Sequence, residues 1–189
     1  MLERLVCERI NIHLGEIDTL PPVQSAYRRN YSTETALTKV VSDVIIPADG
    51  GVVTLLPLFD LSVAFDTVYH VILLQRLQTS HHVTGNALQR FRSNLHGRYE
   101  SVLFAAETST PVSVAHAVPQ GSVLAPLLFI LYTSDIHRII AKDELLCMCY
   151  ADDTQLYFHL KTHNMPVAKS VVEGCIDHVH QWLTSNRLV

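Results

Sequence analysis

The chain has 189 residues, 48% of them hydrophobic, which suits one domain with a real core and excludes a disordered polypeptide. With 14 basic and 18 acidic residues the formal charge is −4, so no global basic field draws the protein to nucleic acid or membrane, and any polyanion contact must be local. The N-terminal "MLERLVCERINIHLGE" carries charges throughout, which argues against a secretory signal and for an intracellular protein; the apolar "VLAPLLFILY" is about half the length of a membrane span and contains a proline.

In chain order, residues 2 to 16 suit an amphipathic helix, followed by the turn-prone "DTLPP" at 18 to 22. Ser32 and Thr33 are N-cap candidates for a helix in which Ala36, Leu37, Val40, Val41, Val44 and Ile45 follow helical spacing. After an Asp-Gly-Gly turn at 49 to 51, "VVTLLPLF" reads as one buried strand that ends at Asp60. Val68, Val71, Ile72 and Leu77 mark a helix, and Leu88, Phe91 and Leu95 mark another after Gly85. "YESVLFA" and "VSVAHA" read as strands around an "ETSTP" turn, and a Pro-Gln-Gly loop then enters a buried helix with Ser122 as its N-cap candidate and Pro126 in its first turn. "LLCMCY" and "TQLYFHL" flank Ala151-Asp152-Asp153 as a hairpin with acids at its tip, and a helix from about Val167 to Thr184 closes the chain. This order is that of an α+β fold. The four cysteines show no zinc-binding spacing and read as reduced core thiols, and the histidine pairs at 81–82 and 178/180 read as surface residues.

A strand ending in Asp60 and a hairpin tip carrying Asp152 and Asp153 suggest carboxylates converging from separate segments, a donor set of hard oxygens that suits Mg²⁺ or Mn²⁺. Two such ions about 4 Å apart can activate an attacking hydroxyl and stabilise a leaving pyrophosphate. Spacing alone leaves the alternative open that Asp-Asp is only a favourable turn pair.

Four stretches in order, "QSAYRRNYSTETAL" at 24 to 37, "FDLSVAFDTVYHVILLQRL" at 59 to 77, "VPQGSVLAPLLFILY" at 118 to 132 and "YADDTQLY" at 150 to 157, resemble the reverse transcriptase of LINE-type (non-long-terminal-repeat) retrotransposons. The resemblance implies the fingers and palm of a right-hand polymerase, about 1–50 fingers-like and about 51–189 mostly palm with inserted fingers elements, with an antiparallel sheet packed against helices. It implies RNA-directed DNA synthesis with two Mg²⁺ or Mn²⁺ ions, an RNA template with a DNA primer, and deoxynucleoside triphosphates. Asp60 matches the first metal-binding aspartate, Asp152 the second direct ligand and Asp153 its support, so Asp60 and Asp152 should lie side by side. Phe65 matches the aromatic gate that rejects a 2′-hydroxyl, with an ordinary core aromatic as the alternative. Gln120 and Gly121 match the loop lining the nucleotide and template, where glycine permits close backbone approach. Arg28 matches a fingers residue for the triphosphate, against a solvated surface arginine. Asp66 reads as helix N-terminal charge rather than a ligand. Arg90, Arg92 and Arg98, interleaved with Phe91 and Tyr99, could meet template phosphates and stack on bases, or form a solvated helix face.

Three positions depart from the family pattern. Ala117 and Ala125 stand where glycine is usual, straining the loop if either needs positive φ, and Pro57 interrupts the strand before Asp60. The expectation is a fragment lacking thumb and endonuclease. The rival readings are a catalytically inactive remnant or nucleic-acid-binding module that keeps the fold, and a metal-dependent nuclease using the same carboxylates.

Overall fold

The computed structural model describes residues 2–61, 64–119 and 121–188. The helices are α1 (Leu2–Ile17), α2 (Thr33–Asp49), α3 (His70–Thr79), α4 (Gly85–Leu95), α5 (Ala125–Tyr132), α6 (Ile136–Lys142) and α7 (Met165–Ser185). The strands are β1 (Val53–Leu55), β2 (Leu58–Phe59), β3 (Arg98–Glu100), β4 (Leu103–Phe104), β5 (Glu107–Thr108), β6 (Val112–Val114), β7 (Leu146–Tyr150) and β8 (Asp153–Leu160). Two compact units result, each drawn from two stretches of chain: Met1–Thr19 with Phe65–Tyr132, and Leu20–Ala64 with Thr133–Val189. Mixed helices and antiparallel strands make the fold α+β.

The second unit is built on a four-stranded sheet with β8 at its centre. On one side β7 pairs antiparallel along its whole length, from Leu146↔Tyr157 to Tyr150↔Asp153. On the other, β1 and β2 share a single register, Val53↔Leu160 and Leu58↔Gln155, so they are one strand interrupted at Leu56-Pro57. The continuous buried strand expected here is thus corrected to two short pieces, with Leu58 70% exposed. Pro57 keeps its place opposite β8, its carbonyl accepting from the Leu156 N–H at 3.0 Å, but has no N–H to return. Because this strand borders β8 on one side only among the described residues, the interruption removes one rung without splitting the sheet.

Period-two alternation gives the sheet two apolar faces. Met148 and Tyr157 meet Ala36 and Val40 of α2, while Leu156 packs with Ile136 and Ile140 of α6 and Val172, Cys175 and Val179 of α7. Helix α2 starts as its sequence implies: the Ser32 hydroxyl accepts from the Thr35 N–H at 3.2 Å, and the Thr35 hydroxyl accepts from the Ser32 N–H at 2.9 Å, a reciprocal cap.

In the first unit α5 is apolar all round and buried from Leu127 to Tyr132, which leaves Pro126 harmlessly in its first turn. Ser122 lies a little before the helix and does not cap it; its hydroxyl accepts from the Leu124 N–H at 3.2 Å and donates to Glu3 at 3.1 Å. Residues 98–114 form a hairpin, β3 on β6 and β4 on β5, whose tip is Ala105-Ala106 rather than the "ETSTP" stretch. Both alanines have positive φ, 48° and 69°, the conformation of the two-residue loop that matches strand twist. "ETSTP" instead supplies β5 and Ser109, whose hydroxyl and N–H bond Val102 where the ladder changes register. His81, expected at the surface, is buried, its ring within 3.2 Å of both the Thr19 hydroxyl and the Leu131 carbonyl oxygen.

The two alanines in place of glycine separate. Ala125 is the first residue of α5 and carries no strain, whereas Ala117 has φ +78°. Its N–H donates to the Val68 carbonyl at 3.0 Å and its carbonyl accepts from His70 Nε2 at 2.8 Å, so the backbone cannot relax away. Ala117→Gly should therefore stabilise the protein by roughly 1 kcal/mol, read as a higher urea midpoint with an unchanged m-value. A lower midpoint would show that alanine is not strained there.

Candidate active site

The register of the sheet gathers the acids. Phe59 pairs with Thr154, which brings the chain end at Asp60 beside the start of β8, close enough for the Asp60 charge to act on Asp153, and Asp153 is paired on its other side with Tyr150. Ala151 and Asp152 form the loop between β7 and β8. Asp60 and the adjacent pair Asp152-Asp153, remote from it in sequence, therefore share one end of one sheet, Asp60 and Asp153 exposed and Asp152 half-buried.

Their charges act on each other. The Asp153 carboxyl is held above the usual carboxylate range, first by partial burial and then by the negative charges of Asp152 and Asp60. The Tyr27 hydroxyl is also raised, by burial, then by Asp152, then by Tyr150, which brings this exposed side chain into the same field. Among the described residues no ion pair offsets the three acids. Carboxylate oxygens of this kind are the donors that suit a hard divalent cation. No group of three His, Cys, Asp or Glu among the described residues is by itself arranged to enclose a metal, so substrate oxygens or water would complete the shell.

The loop before Asp152 is strained. Ala151 has φ +58° while Asp152 does not share it, and positive φ at the first of two loop residues is a conformation in which glycine is preferred. Alanine there costs on the order of 1 kcal/mol or more.

The other residues singled out in the sequence are distributed differently. Arg28, in the same unit as the acids, donates from one guanidinium nitrogen to the carbonyls of Pro21 at 2.8 Å and Gln24 at 3.1 Å and lies 4.7 Å from the Tyr31 ring centroid. It braces its own loop. Phe65, Gly121, Arg90, Arg92 and Arg98 belong to the first unit. The half-buried Phe65 ring packs on Phe129 with centroids 5.0 Å apart. Gly121 has φ +81°, and among the described residues outside its immediate neighbours nothing lies within 4 Å of a Cβ placed on it, so backbone conformation calls for glycine. Gln120 lies outside the described residues. Arg90 and Arg92 are exposed on α4, Arg98 is half-buried, and Phe91 is buried, which corrects its expected role as a stacking surface; Tyr99 remains exposed. Among the described residues no helix is long and apolar enough to cross a membrane. Sequence reasoning passed over Gln24, Tyr27 and the backbone of Ala151, although the first two fall inside the stretch at 24 to 37.

A family described as "Reverse transcriptase (RNA-dependent DNA polymerase)" matches residues 1–189. The chain is 32% identical over 155 residues to the "Probable RNA-directed DNA polymerase from transposon X-element" of Drosophila melanogaster, a match covering 81% of this chain and 17% of that protein. It is 27% identical over 187 residues to the "RNA-directed DNA polymerase from mobile element jockey" of Drosophila funebris, covering 96% and 20%. The chain thus spans about a fifth of the length of the curated relatives it matches. With the family match running the length of the sequence, the chain belongs to the reverse transcriptase (RNA-dependent DNA polymerase) family.

Proposed function

We propose that this chain carries the nucleotidyl-transfer centre of an RNA-directed DNA polymerase of the LINE type, with Asp60 and Asp152 as ligands of two Mg²⁺ or Mn²⁺ ions and Asp153 in support. The observation that supports it is the register of β2, β8 and β7, which brings three acids to one end of the sheet with no ion pair to a basic side chain among the described residues. The four-stranded sheet then serves as the palm of a right-hand polymerase, and its partners are an RNA template with a DNA primer and deoxynucleoside triphosphates.

When bound, the cations would lower the pKa of the primer hydroxyl and stabilise the charge of the departing pyrophosphate. The protein's share is positioning. Asp60 is delivered by a strand held by β8 and Asp152 by a two-residue loop, so both ligands sit on rigid supports. Gly121 gives the Pro-Gln-Gly loop a turn that L-residues resist, suited to the nucleotide. Phe65 would limit the sugar, Arg28 and Gln120 would serve the incoming nucleotide, and Arg90, Arg92 and Arg98 would contact nucleic-acid phosphates.

The test is primer extension on poly(rA)/oligo(dT) with dTTP and Mg²⁺, by residues 1–189 and by the same chain joined to the segment that follows the matching region in the jockey relative. Extension by the joined protein, lost in Asp152→Asn, is expected. No extension by the joined protein under conditions where the jockey protein extends would favour the remnant reading. That reading draws support from Ala117, but not from Ala125 or from Pro57, whose register is intact.

A further inference from the structure

The Gln24 side chain is 4% exposed and reaches the loop that carries Asp152. Its Oε1 accepts from the Ala151 N–H at 3.1 Å and from the Ala26 N–H at 2.9 Å, and its Nε2 faces the Ala151 carbonyl at 3.4 Å. The reverse amide orientation would set an NH₂ group against two N–H donors, so the contacts themselves fix which atom is oxygen. One planar amide therefore meets both polar ends of the alanine with the left-handed backbone.

Gln24 is itself anchored. The Cys149 N–H donates to the Val23 carbonyl at 2.9 Å, and the Ser25 N–H donates to the Cys149 carbonyl at 2.9 Å, which fastens this segment along β7. The Gln24 carbonyl accepts from Arg28 at 3.1 Å. The segment at 23 to 28 is a splint laid beside the end of the hairpin.

We propose that Gln24 is a positioning residue for Asp152, acting through Ala151: its amide holds the unfavourable backbone of Ala151 and so fixes where the next residue directs its carboxylate. This rests on the reading of Asp152 as a cation ligand, and it adds the residue that makes an alanine workable at a loop position suited to glycine.

The experiment compares residues 1–189 with Gln24→Met and with Gln24→Met/Ala151→Gly, using amide hydrogen exchange and Mn²⁺ binding followed by electron paramagnetic resonance. Gln24→Met should speed exchange of the Ala151 N–H on the order of tenfold or more, while the Leu156 N–H, bonded within the sheet, keeps its protection. It should also weaken Mn²⁺ binding roughly tenfold, the scale on which supporting groups act on metal affinity. Adding Ala151→Gly should recover most of that affinity, because glycine adopts the loop backbone unaided; it cannot restore the lost bond to Ala26, so recovery isolates the loop. Unchanged Ala151 exchange, unchanged Mn²⁺ affinity, or failure of glycine to rescue would each overturn the proposal. Loss of Leu156 protection in Gln24→Met would overturn it too, by making Gln24 a support of the whole sheet. Absence of Mn²⁺ binding sensitive to Asp152→Asn in the parent chain would defeat the cation reading instead, and the hold on Ala151 would then be decided by exchange alone.

Discussion

Asp152→Asn is expected to cut primer extension by the joined protein roughly a thousandfold or more, since a cation contributes several kcal/mol to the transition state and each 1.36 kcal/mol is tenfold in rate. Asp60→Asn should do nearly the same if, as proposed, Asp60 and Asp152 share the cations. Asp153→Asn should cost far less, on the order of tenfold, because a supporting charge acts on the ligand rather than on the cation. Its carboxyl is held above the usual range by burial and by its two neighbours, so replacing it also relieves repulsion. Single-turnover extension with each variant at saturating Mg²⁺ gives the ranking. Loss with Asp153→Asn equal to that with Asp152→Asn would exchange their roles, and undiminished extension by Asp152→Asn would remove the acids from the chemistry.

Much of this arrangement was legible in the sequence because it is written in local pattern. An apolar run stopping at Asp60, two apolar runs around Asp152-Asp153 and a Ser-Thr start before a helical repeat each have a physical reading within about ten residues. What escaped lay in tertiary pairing. Gln24 meets Ala151 from 127 positions away, and no periodicity marks a glutamine whose amide will face another residue's backbone. The hairpin tip at Ala105-Ala106 is hidden for another reason: alanine carries no turn signal, whereas the nearby Ser, Thr and Pro carry a strong one. Pro57 carried a signal that the apolar run around it masked: the run reads as one strand, the strand is interrupted at Leu56-Pro57, and the ladder nonetheless holds the same register on both sides. In Phe91 the helical period carried the correct information, a core position beside Leu88 and Leu95, and the arginines around it drew the eye to nucleic acid instead.

Phe65→Val should raise incorporation of ribonucleotides relative to deoxynucleotides by the joined protein by roughly tenfold or more. A ring that fills the space of a 2′-hydroxyl discriminates by collision, and such repulsive contacts distinguish substrates more sharply than added attractions do. The competing account is packing: the ring lies tilted against Phe129 with centroids 5.0 Å apart, and the Phe65 carbonyl accepts from the Val118 N–H at 2.8 Å. The backbone bond survives any substitution, so the local turn should persist. Losing the ring contact should cost about 1–3 kcal/mol of stability on the packing account, with sugar choice untouched. The two effects are separable because they move different measurements. Denaturant midpoints report packing, and the ratio of kcat/KM for dTTP and UTP reports the gate. Phe65→Leu sharpens the comparison: it keeps more of the apolar volume at Phe129 and should restore part of the stability, yet it lacks the flat reach of the ring and should still admit ribonucleotides more readily than the parent. A drop in stability across both variants with an unchanged nucleotide ratio would leave Phe65 as a packing residue and nothing more.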